Sequence, residues 1–305
     1  MEVLQTSARR SREGRPGPRK GTFHLVNIHE AGPLEGRLDR WPVLAAAGAL
    51  EVRLAETESE IEAAQRLRYH VFYEEMSAVP SPDMRAERRD FDRFDAFCDH
   101  MLVLDRERHD EEGQPAVVGT YRLMRDVDAA RAGGFYTSGE YDIGGLLAML
   151  GGKNLVELGR SCILREYRSK TSTMQLLWRG VMVYDLRFSI DLMFGCASLA
   201  GTDPEALALP LSYLHHYHPM PDGTRVHARP ELYVEMDRMP KDAIDPKRAL
   251  HALPPMIKGY LRAGASIGDG AVIDRQFDTT DVFIHFPLSN MDGRYRTRFA
   301  RSVGL

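Results

Sequence analysis

One stretch limits the possible folds more than any other: VELGRSCILREYRSKTSTMQLLWRG, residues 156–180. It reads as a strand running into a basic loop and then a helix, with Glu157 and Arg160 set inside the strand. Three cations, Arg165, Arg168 and Lys170, gather where the helix begins. A helix N-terminus already favours anions, because its first N–H groups are unpaired and its dipole is positive there. Cations at that end oppose the helix unless something anionic docks on them.

The flanking sequence supplies a sheet for this unit. Leu50, Val52 and Leu54 alternate as a strand,. Thr57 or Ser59 can cap a helix that carries Ile61, Ala64, Leu67, Arg68, Val71 and Phe72 on one stripe,. After a charged loop with interleaved Phe91, Phe94 and Phe97, HMLVLDRE and AVVGTYRLM read as strands joined across RHDEEGQP,. YDIGGLLAML predicts a short helix, NLVELGRSCIL a strand, and about 173–189 the helix after the basic loop. CASLAG then predicts a short strand, and TDPEALAL a helix with Asp203 as N-cap and Pro204 at its first position,. PPMIKGYLRAG reads as a helix, and AVIDRQF and DVFIHF as strands. GASIGDGAVI resembles one rung of a hexapeptide β-helix, but one rung cannot bury its own face,. The expectation is an α/β (α+β) fold, a mixed sheet flanked by helices.

Composition bounds the rest. The chain has 305 residues, and 43% hydrophobic content suffices for a core,. A net charge of −4 gives no global field pointing to nucleic acid,. Residues 1–45, rich in Arg, Gly and Pro, are expected to be a basic disordered tail, 46–290 the folded domain, and 291–305 a second basic tail,. The alternative for the first tail is adhesion to an anionic membrane surface, worth about 1 kcal/mol per Lys or Arg. Three cysteines without CxxC spacing argue against a disulfide scaffold or structural zinc and suit a reducing cytoplasm,. The apolar run WPVLAAAGAL is far short of the roughly 20 residues a membrane span needs, and no cleavage signal precedes it,. The expected location is cytoplasmic, soluble or peripheral on the inner face of the membrane.

LRYHVFYEEM, ERRDFDRFD, VVGTYRLM and ELGRSCILREYRS resemble, in order, the blocks of the acyl-homoserine lactone synthase branch of the GNAT-type N-acetyltransferase fold. LMFGCASLAGTDP and IKGYLRAGASIGDGAVIDRQFDTTDVF, which form a C-terminal extension, are similar to bacterial L-ornithine Nα-acyltransferases, a group sometimes labelled hemolysin-like. The resemblance spans about residues 50–285. It implies an enzyme that moves a long 3-hydroxyacyl chain from acyl carrier protein to the α-amine of L-ornithine, giving lyso-ornithine lipid. An acyl-homoserine lactone synthase is the rival enzyme, disfavoured by the extra C-terminal blocks. A non-catalytic protein that perturbs lipid surfaces is the rival of another class.

Making an amide from a thioester requires a neutral amine, a polarised carbonyl and alignment of the two. Glu157, Gly159 and Arg160 are the expected catalytic group. Glu157 in an apolar strand is either the base, its pKa raised by burial, or an ion-pair partner for Arg160,. Alternation puts Glu157, Gly159 and Ser161 on one face and Leu158, Arg160 and Cys162 on the other,. Gly159 suggests a bulge or close backbone approach. The resemblance implies a splayed strand whose backbone N–H meets the thioester oxygen, a donor worth about 2.7–4 kcal/mol in other oxyanion holes. Cys162 has no histidine near it in sequence and reads as a buried thiol,.

The donor and acceptor ends follow. REYRSKTST contains no glycine, which disfavours close backbone approach to the pyrophosphate of coenzyme A. Arg165, Arg168 and Lys170 suit the phosphopantetheine phosphate or acidic face of acyl carrier protein, the alternative being a solvated basic turn. No bound cofactor is expected. Arg68, Arg122 and Arg160 are candidates for the acceptor carboxylate, since an arginine fork binds both oxygens. Asp90, Asp92 and Asp95 are candidates for its second ammonium, or else pair with Arg88, Arg89 or Arg93. His215, His216 and His218 read as a short loop, YLHHYHP, and no carboxylate or Cys at motif spacing completes a site with them, so no metal is expected,. The inner face of MQLLWRGVMVYDLRF is core or the wall of an acyl tunnel.

Overall fold

The computed structural model describes residues 43–111, 113–168 and 171–291. Both basic tails lie outside these residues, except that the first strand starts at Val43, inside the segment expected as tail. It does so because Val43–Ala47 (β1) pairs antiparallel with Leu50–Leu54 (β2). Helix α1, Glu58–Tyr69, is capped by the Thr57 hydroxyl and continues through a π-helical turn, His70–Glu75. Helix α2 (Pro82–Glu87) leads to the hairpin β3 (Asp99–His109) and β4 (Pro115–Arg125). Then come α3 (Asp126–Ala132), β5 (Tyr141–Asp142), α4 (Gly144–Met149) and β6 (Leu155–Ile163). The basic segment is a single helical turn, α5 (Arg165–Arg168), followed by α6 (Thr171–Phe188) and β7 (Leu192–Ala200). The remainder holds α7 (Ala208–Tyr217), β8 (His227–Ala228), β9 (Tyr233–Val234), α8 (Pro246–Ala252), α9 (Pro255–Ala263), β10 (Ser266–Asp274) and β11 (Thr279–Pro287).

Among the described residues the strands form one mixed sheet in the order β1-β2-β3-β4-β6-β7-β11-β10-β8-β5, with β9 on β10. Helix α6 packs over β1, β2 and β3 on one face, and α1 packs over β3 and β4 on the other. Gly180 permits the first contact, since a Cβ there would lie 2.5 Å from Val52 Cγ1. Leu176, Val181, Tyr184, Met101 and Val52 are buried in the core that α6 covers. No helix among the described residues is long and apolar enough to cross a membrane.

Three expectations change. The helix placed at Asp203 begins only at Ala208, while Asp203 Oδ1 accepts from the Glu205 amide at 3.0 Å and closes a turn. Pro210 is the reason: its ring would clash with the carbonyl of Ala206 in a longer helix, but it is tolerated in a first turn. The CASLAG strand runs for nine residues, because the whole of β7 pairs with β11. The strand expected at AVIDRQF instead runs Ser266–Asp274, taking in most of GASIGDGAVI, as the partner of β11.

The sheet is incomplete at one seam. β6 and β7 pair in parallel only at Leu155↔Leu192, Val156↔Met193 and Glu157↔Phe194, then diverge. Gly195 stands where they part, its hypothetical Cβ only 2.3 Å from the Leu158 carbonyl oxygen. Any other residue would force the strands apart earlier.

Candidate active site

The divergence of β6 and β7 opens a cavity of about 490 Å³. Its polar end is lined by Glu157, Gly159, Arg160, Arg122, Asp274 and Asp281. Its apolar end is lined by Met174, Leu177, Trp178, Ile257, Ile284 and Phe286. A molecule with a charged head and a hydrocarbon tail matches both ends.

Glu157 is buried, and its two oxygens accept from the amides of Tyr136 (3.0 Å) and Thr137 (2.6 Å). Burial raises its pKa, while the hydrogen bonds from Thr137 and Tyr136 oppose the rise. Its hydrogen-bonding partners are therefore the two backbone amides and the Thr137 side chain, and not the arginine of the alternative reading. A carboxylate held this way is oriented and can still take a proton.

The strict alternation expected of β6 fails beside it. Thr120 pairs with Cys162 and Arg122 with Gly159, so Tyr121 of β4 faces both Arg160 and Ser161. This is a β-bulge, and Arg160 adopts the left-handed φ of 51° that bulges use,. The phase flips: Arg160 swings to the face of Glu157, and Cys162 follows it to pack with Leu67 and Val71 of the α1 segment. The guanidinium of Arg160 lies over the rings of Tyr136 and Phe277 at 4.9 and 4.8 Å. Gly159, just before the bulge, has nothing within 4 Å of where a Cβ would be, so it keeps this part of the cavity open. Cys162 is buried and its pKa is pushed up to about 12 by burial, as an inert thiol.

The candidate acceptor residues form an ion network. Arg68 is fully buried and binds Asp90 at 2.7 Å and Asp95 at 2.9 Å. Arg122 binds Asp92 at 2.7 Å and Asp95 at 3.1 Å. Arg160 reaches Asp90 and Asp92 at 3.4 and 3.3 Å, and Tyr73 donates to Asp90 at 2.9 Å. Burial works to raise Asp90 and Asp95, but Arg68 with Arg160, and Arg68 with Arg122, hold them below the ordinary value. Asp90 and Asp92 are thus occupied by arginines and carry no free charge for an ammonium. Their partners are Arg68, Arg122 and Arg160 rather than the neighbouring Arg88, Arg89 or Arg93. Arg68 does not reach the cavity; Arg122 and Arg160 do.

Sequence reasoning missed a second cluster. Carboxylate oxygens of Glu140, Asp274 and Asp281 lie within 4.8 Å of one another. None has a cationic side chain in salt-bridge range among the described residues. One Glu140 oxygen is buried without a hydrogen-bond partner. Burial, reinforced by Asp281, raises Glu140 to about 7, and burial raises Asp281 to about 6. Such oxygens suit a hard cation or an ammonium group.

At the donor side, Arg168 binds Glu75 at 2.5 Å and the Ile163 carbonyl at 2.7 Å, at the rim of the cavity. Arg165 points outward with 71% of its side chain exposed, its nearest carboxylate, that of Glu75, at 3.8 Å. Lys170 lies outside the described residues. His215 and His216 sit in the last turn of α7 rather than in a loop, and Asp237 brings a distant carboxylate into metal-ligating range of both. His216 and Asp237 bond to each other at 2.9 Å.

The Acetyltransferase (GNAT) domain family matches residues 67–179, from α1 into α6. The L-ornithine N(alpha)-acyltransferase of Rhizobium meliloti (strain 1021) is 51% identical over 262 residues, covering 86% of this chain and 88% of its own. Its counterpart in Rhodobacter capsulatus is 41% identical over 259 residues, covering 85% of this chain and 98% of its own. Among solved structures, FeeM, an N-acyl amino acid synthase from uncultured soil microbes, superposes with a TM-score of 0.44 at 11% identity. That alignment covers 84% of this chain and 98% of FeeM, a likeness too loose to carry a functional argument.

Proposed function

The chain belongs to the L-ornithine Nα-acyltransferase family, and from that premise we propose how its cavity acts. A 3-hydroxyacyl thioester of acyl carrier protein enters from the Arg165–Arg168 rim, its chain directed to the apolar end. L-ornithine occupies the polar end. One observation carries the reading: a single cavity joins Asp274 and Asp281 of the open carboxylate cluster, a buried carboxylate with two amide partners and an apolar channel.

Charge decides the acceptor's pose. The network of Arg68, Arg122 and Arg160 with Asp90, Asp92 and Asp95 is balanced, whereas Glu140, Asp274 and Asp281 have no cation in salt-bridge range among the described residues. The δ-ammonium of ornithine therefore goes to the second cluster, replacing the roles first expected of Asp90 and Asp92. The α-carboxylate goes to the cavity-facing edge of Arg160, with Arg122 behind it. The α-amine then lies near Glu157. Glu157 takes a proton from the amine as nitrogen attacks the carbonyl, the C–N bond forms, the C–S bond breaks, and the leaving thiolate receives the proton that Glu157 has taken. The backbone N–H groups around Gly159 and the bulge are the donors for the carbonyl oxygen as negative charge develops there.

The test follows thiol release from 3-hydroxyacyl carrier protein with ornithine, lysine or S-adenosylmethionine, with products identified by mass. An Nα-acyl ornithine product supports the reading. Turnover with S-adenosylmethionine alone would replace it with lactone synthesis, and no thiol release with any acceptor would remove both.

A further inference from the structure

The apolar half of the cavity contains one polar feature that the mechanism leaves unused. Tyr121 of β4 and Tyr260 of α9 both line it, are 5% and 4% exposed, and hydrogen-bond to each other through their hydroxyls. Leu177, Trp178, Ile257 and Phe286 share this wall. The Tyr260 ring packs edge-on against Trp178, with centroids 5.0 Å apart. Two phenols carry two O–H donors, and the bond between them uses one. The other donor meets no acceptor among the described residues. Asp185 of α6, in electrostatic range of both phenols, is 2% exposed, with neither carboxylate oxygen hydrogen-bonded. Buried hydroxyls usually find a partner, because leaving one unmatched in apolar surroundings is costly.

Position narrows what that partner can be. Tyr121 stands opposite the Arg160–Ser161 bulge, three residues along β6 from its last pair with β7, Glu157↔Phe194. Arg122, its neighbour, projects to the amine side, so Tyr121 projects to the acyl side. A hydrocarbon chain passing there offers the spare O–H nothing. A chain with a hydroxyl a few carbons beyond the thioester offers both an acceptor and a donor.

We infer that the Tyr121–Tyr260 pair reads a hydroxyl substituent near the thioester end of the acyl chain and so selects hydroxyacyl over unsubstituted donors. This rests on the acyltransferase reading above and assigns its donor selectivity to two residues. The experiment compares kcat/KM for 3-hydroxyacyl and unsubstituted acyl carrier protein of equal chain length, in the full chain and in Tyr260→Phe and Tyr121→Phe. Each variant keeps its ring and packing. The unaltered protein is expected to prefer the hydroxylated donor by roughly tenfold or more, and either variant to lose most of that preference by slowing on the hydroxylated donor alone. An unchanged preference, or equal loss on both donors, overturns the inference and leaves the pair as packing or as a carbonyl contact. No turnover by the unaltered protein with either donor overturns the acyltransferase reading and this inference together, a result distinct from the other two.

Discussion

Two clusters of charged side chains flank the same cavity and are built on opposite principles. In the first, Arg68, Arg122 and Arg160 meet Asp90, Asp92 and Asp95, three positive charges against three negative, all buried or nearly so. In the second, Glu140, Asp274 and Asp281 face one another with no cationic partner among the described residues. The closed cluster satisfies itself and fixes geometry, tying α1 and the loop before β3 to the strands that carry the site. The open cluster is costly in the empty protein and is relieved when a cation arrives. Buried charge that is already paired positions a site, whereas buried charge that is unmatched attracts a ligand.

This contrast can be broken at several points. The largest effect belongs to Glu157, which lies between the clusters: Glu157→Gln is expected to slow ornithine-dependent thiol release by about 10²–10⁴-fold. Its thermal midpoint should fall modestly, since the amide oxygen still accepts from one backbone N–H while the NH2 group leaves the other without an acceptor, a cost of about 1–3 kcal/mol. Opening the closed cluster should act on stability instead. Arg68→Ala leaves Asp90 and Asp95 buried with too few partners, and urea unfolding should record a loss of about 3–5 kcal/mol. A loss below 1 kcal/mol would show that the network is not the scaffold described here.

Asp281→Asn tests the open cluster. The KM for ornithine should rise roughly tenfold or more, with stability unchanged or improved, because a charged hydrogen bond to the ligand is worth about 1.5–3 kcal/mol. A variant that instead loses stability with KM intact would make the two clusters alike. The smallest effect is the dependence on pH. Glu140 and Asp281 bind protons more tightly folded than unfolded, so their contribution is fully present below their ordinary values. It is lost as pH rises through about 6 for Asp281 and about 7 for Glu140,. The unliganded protein should therefore lose roughly 2–4 °C of thermal stability for each kcal/mol removed between pH 5 and 8. Ornithine should restore most of that loss at pH 8, and Glu140→Gln should flatten the profile.

Local signals in the sequence carried much of this arrangement. The strand, basic turn and helix at 156–180 are legible from apolar spacing, and Glu157 stands out as the acid inside an apolar strand. The arginines at 68, 122 and 160 and the aspartates of RRDFDRFD were recognisable as a site, but their mutual pairing was not, because it joins segments 22 to 70 residues apart. The open cluster was hidden for the same reason. Glu140 follows a short turn and Asp274 and Asp281 lie on a hairpin more than 130 residues later, and nothing local marks any of them. The bulge escaped the alternation argument because one extra residue leaves no compositional trace when it is an arginine at positive φ. Gly159, the visible irregularity, is only its neighbour.

The seam between β6 and β7 has a consequence for how the empty and loaded proteins hold together. Past Glu157, β6 has a strand partner on one side only, so the interior of the sheet contains an edge of the kind normally found at its rim. An outer edge can recruit another protein strand. This one is enclosed, and it admits only something slender, such as an amide-bearing arm that presents N–H and C=O groups at peptide-like spacing. Such an arm would be bound as a temporary strand, bridging two half-sheets that otherwise share three residue pairs at this seam. A donor carried on such an arm would serve as reagent and as a structural member, and hydrogen exchange at residues 158–163 should then slow when it is bound and quicken when the thiol departs.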